Sequence, residues 1–237
     1  MIKMIAAAAM LVSAGCGNTQ NAELIPSLER LAKSGNAEAI YYLGMAYQTG
    51  SGVPEDHAKA LIAFRRAAGL GDPLGYYKLG CYYAGQGAGL VAADDASALR
   101  YKLVAAKAGY ALAQQDVGIM YAQSGDVPAG LAWLEKSAAQ GWSGGLMALA
   151  SVYNGAAGVT PDAGKTAAYF QLFLARSEAN ETQIAWLKNF EEHLSADDKK
   201  RADKIVLSYR PLPTKLTVRA LSGQRAAQHL VESTGHR

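Results

Sequence analysis

Apolar and small residues recur along this chain in a register that fits helices and repeats. Four stretches align: AIYYLGMAYQTGSGV, GYYKLGCYYAGQGAG, AQQDVGIMYAQSGDV and LMALASVYNGAAGV. Each carries an apolar residue, then a small one, then Tyr three positions on: Leu43-Gly44-Tyr47, Leu79-Gly80-Tyr83, Val117-Gly118-Tyr121 and Leu149-Ala150-Tyr153. The apolar residue and the Tyr stand four apart, on one face of a helix. A Gly-containing segment follows each stretch. A second pattern comes next: AKALIAFRRAAGLGD, ASALRYKLVAAKAGY, PAGLAWLEKSAAQGW and GKTAAYFQLFLARSEA. The first three of these close on Gly71, Gly109 and Gly141. The period is roughly 36 residues, a length typical of paired-helix repeats.

Gly or Ala at the second position lets another helix approach closely, and the Tyr one turn later fills the space beside that contact. The Gly-rich segment breaks the first helix. The second helix is expected to open near Asp56, Asp95 or Asp162, since acidic residues suit a helix N-terminus. A closing Gly suits its C-terminal cap. One such pair cannot bury its own apolar face, whereas stacked pairs can. The expected fold is therefore all-α: an α-solenoid of stacked helix–turn–helix repeats over residues 36–180. Capping helices over 181–209 follow, one from about Glu181 to Leu194 and one starting at Ser195. Residues 210–237 form a tail that opens at RPLPTK, where Pro211 and Pro213 stop the preceding helix. Within it, SGQRAAQHLVEST reads as one short helix capped by Ser222. The tail carries five Lys or Arg against one Glu. It reads either as a solvated basic extension or as a segment that docks onto a partner or an anionic surface.

The first residues have a different character. MIKMIAAAAMLVSAGC places one positive charge, Lys3, before an apolar run from Met4 to Val12 and then small residues. That is the layout of a secretory signal, here residues 1–15, and the run is too short to span a bilayer. SAGC resembles a bacterial lipobox, with Ser13 where Leu is usual. The resemblance implies that Cys16 is acylated and becomes the mature N-terminus, with a leading helix within residues 16–35. Gly17 after the Cys implies retention at the outer membrane, facing the periplasm. The alternative is an ordinary signal peptide cleaved nearby, with Cys16 incidental. If Cys16 is acylated, Cys81 has no cysteine with which to form an intrachain disulfide. The apolar and aromatic neighbours of Cys81 suggest a buried or groove-lining thiol.

Composition narrows the chemistry. The chain is 50% hydrophobic and 18% charged, with a formal net charge of +3. That charge is too small to imply nucleic acid or an acidic substrate. GWSGG at 141–145 fits the nucleophile-elbow pattern G-x-S-x-G, but an elbow needs a strand leading into Ser143. LAWLEKSAAQ lies upstream instead, with helical composition, so Ser143 is expected as a helix N-cap. His57, His193, His229 and His236 lack second ligands at metal spacing. EEHL at 191–194 lies on a polar helix face, and Asp94-Asp95 reads as a helix start. GQGAGL at 85–90 lacks the Lys-Ser/Thr of a phosphate loop. No cofactor, metal or catalytic activity is expected.

The pattern LGxxYxxGxGV, followed by D, KA, AA and G over residues 43–71, resembles the Sel-one-like repeat (SLR) family, relatives of the tetratricopeptide repeats. The resemblance extends over roughly residues 22–180, with looser matches in the later repeats. It implies a solenoid whose first helices line an inner face that binds another protein. The positions two before and two after each apolar residue then face the groove, four apart on one helix face. They are Tyr41 and Met45, Tyr77 and Cys81, Gln115 and Ile119, and Met147 and Ser151. Gln48 and Asn154 lie one turn on. Tyr and Met are suited to interfaces, although some of these residues could instead pack against a neighbouring helix or the tail. Some lipoproteins of this repeat type are immunity proteins that block antibacterial effectors of the type VI secretion system, notably phospholipases. The resemblance therefore implies a protein partner of that kind, with membrane attachment through the N-terminal lipid. An envelope scaffold or regulator is the alternative, and a hydrolase using Ser143 is a remote one.

Overall fold

The computed structural model describes residues 17–87 and 89–234. The signal segment, Cys16 and His236 lie outside the described residues. Among these there are thirteen α-helices, one π-helical turn and no strand. A leading helix α1 (Gly17–Lys33) precedes four helix pairs: α2 (Ala37–Thr49) with α3 (His57–Gly69), α4 (Pro73–Cys81) with α5 (Asp95–Lys107), α6 (Ala111–Gln123) with α7 (Val127–Ala139), and α8 (Ser143–Tyr153) with α9 (Ala163–Leu174). The π-helical turn, Tyr82–Gln86, extends α4. Four helices close the chain: α10 (Glu181–Glu192), α11 (Ala196–Ser208), α12 (Lys215–Ser222) and α13 (Gln224–Thr234). Each helix of the array packs on the next, giving an α-solenoid.

The same local chemistry recurs in each pair. Asp56, Asp94, Asp126 and Asp162 cap the second helices, each accepting a backbone N–H of the first turn. In repeat two the cap is Asp94, and Asp95 is the first helical residue. The N–H of each capping Asp donates to the carbonyl of the repeat Tyr: Tyr47, Tyr83, Tyr121 and Tyr153, at 2.8–3.0 Å. The Tyr thus fixes the turn as well as packing beside it. The small position is a contact point. A Cβ on Gly44 would lie 2.6 Å from Phe64, one on Gly80 2.6 Å from Lys102, and one on Gly118 2.8 Å from Leu134. Gly71, Gly109 and Gly141 close the second helices at φ of 82–95°, where glycine is favoured.

The first helices of the pairs differ in their caps. Asn36 and Asp72 cap α2 and α4 through their side chains, whereas Tyr110 and Trp142 precede α6 and α8 without side-chain cap bonds. Ser143 is the first residue of α8 rather than its cap. Its backbone follows α7 and a Gly turn, with no strand. Ser195 caps α11, and Asn180 with Gln183 forms a capping box on α10.

The tail departs from both expectations for it. It forms two helices, and Ser222 ends α12 instead of capping a following helix. It is not a solvated extension: it doubles back along the array from repeat four to repeat one. Leu212 N–H donates to Ala139, and Thr214 to Gly109 and Gln140. Further on, the Thr217 hydroxyl accepts the Ala111 N–H (3.0 Å) and donates to Gln140 Oε1 (2.7 Å). Thr217 therefore supplies the cap that Tyr110 does not give α6. Arg219 bonds Asp72 (2.7 Å) and pairs with Glu38 (3.4 Å). Beyond the break at Gly223, α13 packs on α1 and α2 and buries Ala227 in the core of the first repeats. Leu216 and Ala220 of α12 and Ala226, Leu230 and Val231 of α13 pack on that core, while Val218 and Leu221 of α12 stay exposed. The tail is thus a strap over the first three repeats.

Candidate protein-binding surface

The strap divides the expected groove. Tyr41 is buried against Tyr42 and Phe64, with the Arg219 guanidinium 5.8 Å from its ring. Burial pushes its hydroxyl pKa well up. Tyr77 is buried edge-on to Tyr110, and its hydroxyl donates to Asp116 (3.2 Å), which also holds Lys102 (2.7 Å). Cys81 is buried beside Tyr77, and desolvation raises its thiol pKa. These three residues were expected to face a partner; they form core instead. Their aromatic and apolar character is that of residues covered by the chain itself.

Met45 is half-buried against the same core. Gln48 is half-buried, and its side-chain oxygen accepts no hydrogen bond. Gln115 is engaged: its Oε1 accepts the Trp142 indole N–H at 2.7 Å. Ile119 packs on the core of repeats three and four.

The last first-helix remains open. Met147, Ser151 and Asn154 line a hollow of about 330 Å³ between α8, α9 and α10. Ser151 and Asn154 are exposed, and the Ser151 hydroxyl donates back to the Met147 carbonyl. Phe170 of α9 and Trp186 of α10 complete the wall. Trp186 is 37% exposed, lies 4.6 Å from the Phe170 ring and stacks on Phe190 at 5.0 Å. Ile184 on the same helix is 53% exposed. An anchored Trp next to a Met and an open hollow is the composition of an interface hot spot.

Sequence reasoning missed Phe170 and Trp186 because α10 read as a polar cap. The signal was present in QIAWLKNF, where Trp186 and Phe190 stand four apart. Among the described residues, no group of three His, Cys, Asp or Glu side chains could hold a metal ion. No helix among them is long and apolar enough to cross a membrane.

Sel1 repeats match residues 37–72, 73–110, 111–142 and 144–175, more than half of the chain. The chain belongs to the Sel1 repeat family. Sel1 repeats mediate protein–protein interaction. The chain is similar in fold to a protective antigen of uropathogenic Escherichia coli that displays an SLR fold: TM-score 0.68, 23% identity, covering 84% of this chain and 43% of that one. It is also similar to a Sel1 repeat protein from Oxalobacter formigenes: TM-score 0.59, 26% identity, covering 66% and 65%. The chain thus spans less than two thirds of either relative. No curated protein matches it significantly. The Sel1 match ends at residue 175, so α10, the strap and Trp186 lie beyond it.

Proposed function

We propose that this chain is a protein-binding Sel1 scaffold of the bacterial envelope, with no reaction of its own. The observation that carries the reading is the open surface of α8–α10, where Trp186, Phe170 and Met147 surround a hollow on a repeat array made for protein contacts. Ser143 opens a helix after a helix, which gives a hydrolase elbow no support. The lipobox-like SAGC supports acylation at Cys16, which would tether the array to the outer membrane on its periplasmic side.

Within that reading, the partner is a secreted antibacterial effector of the type VI system, such as a phospholipase, and the chain is its immunity protein. The SLR resemblance together with the lipobox-like leader supports this choice. A tethered inhibitor would stand at the membrane that a lipase attacks. The α8–α10 surface would receive an apolar side chain from the rim of the effector's active site and occlude it.

The test is co-purification from envelope extract, followed by a binding measurement on the partner found. A stoichiometric complex with a secreted lipase or other toxin, weakened by Trp186→Ala, supports the immunity reading. Cell-wall or secretion-machinery components in its place would overturn that reading and leave a general envelope scaffold. Absence of any stoichiometric partner would overturn both.

A further inference from the structure

A cavity of about 390 Å³ lies between α1, α2 and the strap. Its size is in the range of small-molecule sites. The wall is buried and apolar, made by Leu24, Leu28, Tyr41, Tyr42, Ala46 and Ala227. The rim is exposed and polar without charge: Thr49, Ser51 and Gln224 stand there with Gly52 and Gly223. Among the described residues, no Asp, Glu, Lys, Arg or His lines the cavity.

The hydroxyls of Tyr42, Thr49 and Ser51 already have partners. The Tyr42 hydroxyl donates to Glu38, and the Thr49 hydroxyl bonds the Met45 carbonyl (3.0 Å) and the Ser51 hydroxyl (2.8 Å). A space with such walls favours an apolar occupant. Gly52 shapes one side. At φ +76 it brings the 50–53 loop against α1, where a Cβ would lie 3.1 Å from Ile25.

The shape selects among apolar ligands. On α2 the lining runs from Tyr41 to Thr49, eight residue steps, or about 12 Å of helix. A cavity of about 150 Å³ holds one benzene ring; this one is more than twice that volume and elongated. An extended hydrocarbon chain fills such a slot, with its polar end at the Thr49–Ser51–Gln224 rim. We propose that the slot binds one linear acyl chain. Two sources share that chemistry. One is a free fatty acid or lysolipid. The other is an acyl chain carried on Cys16, eight residues before Leu24 in the sequence. The proposal does not depend on the identity of the protein partner.

The test uses the Cys16→Ser chain, which keeps every described residue, with decanoic acid as the probe and native mass spectrometry and calorimetry as readouts. One chain bound per protein is expected. Ala46→Phe and Ala220→Leu, which fill the slot from α2 and from the strap, are each expected to weaken uptake at least tenfold. Thermal melting identifies any variant that fails to fold, and the other variant then decides. Lack of uptake by the Cys16→Ser chain, or undiminished uptake by a folded filled variant, would overturn the proposal. Acylated protein from membranes separates the sources. If it refuses added acid that the Cys16→Ser chain accepts, its own lipid occupies the slot; equal uptake by both assigns the slot to free lipid.

Discussion

At Gly118 two effects of opposite sign meet. Ala is favoured over Gly in a helix by about 1 kcal/mol. A Cβ there, however, would lie 2.8 Å from Leu134 and 3.0 Å from the Gly130 carbonyl, and overpacking costs about 1–3 kcal/mol. Gly118→Ala should therefore lower stability, by up to about 2 kcal/mol after the propensity gain. Gly69, at the exposed end of α3, has nothing within 4 Å of an added Cβ. Gly69→Ala should raise stability by a few tenths to about 1 kcal/mol. Denaturant melts of the two variants check both signs. The repeat triplets were legible in the sequence at this scale because each residue's role is local: a small contact point, a Tyr beside it and a capping Asp. The same local view could not show that Tyr41, Tyr77 and Cys81 are covered: Arg219 reaches Tyr41 from the far end of the chain, and Tyr110 and Asp116 reach Tyr77 from the next repeat. Their burial has a pH signature. Desolvation holds the buried phenols neutral, with Tyr110 and Tyr169 pushed up to about 12 and Tyr41 and Tyr77 raised further. The unfolded chain releases these protons first, near pH 10. Stability should therefore be unaffected by them below about pH 10 and fall as pH climbs toward the folded values. Parallel titrations by tyrosinate absorbance and far-UV circular dichroism should show the last tyrosines ionising only as helix is lost. Full tyrosine ionisation with the helix intact would contradict this.

Among the elements, the array and the strap differ in how they are encoded. The helix pairs of the array announce themselves by period, the first three closing on Gly71, Gly109 and Gly141, and α10 and α11 announce themselves by the caps Asn180 and Ser195. The strap's helices are short, and its basic character suggested solvent or a partner. Arg219 explains the difference: its charge answers Asp72 and Glu38 of the same chain. Thr217 is an apparently ordinary residue that caps a helix a hundred positions earlier. Thr217→Val would leave the Ala111 N–H and Gln140 Oε1 short of a buried bond and should cost about 1–3 kcal/mol. Arg219→Ala would strip the buried Asp72 of its cation and should cost up to about 3 kcal/mol. Chemical denaturation measures both. Hydrogen exchange should also show faster opening of α12 and α13 in each variant. Losses below a few tenths of a kcal/mol would mean that the strap is not held by these bonds.

For the whole molecule, the strap closes the front of the repeat array and leaves its rear open. The solenoid architecture was readable from the period alone. The location of the open surface was not, because it depends on how far the tail reaches and on two aromatic residues outside the paired-stripe rule. The central claim is that the chain recognises a protein through α8–α10. The most direct measurement is the affinity of the chain for its co-purified partner, compared with that of Trp186→Ala. A loss of about 2 kcal/mol or more, roughly thirtyfold, is expected, read at a temperature where melting shows the variant still folded. Equal affinity in a folded Trp186→Ala chain would contradict it.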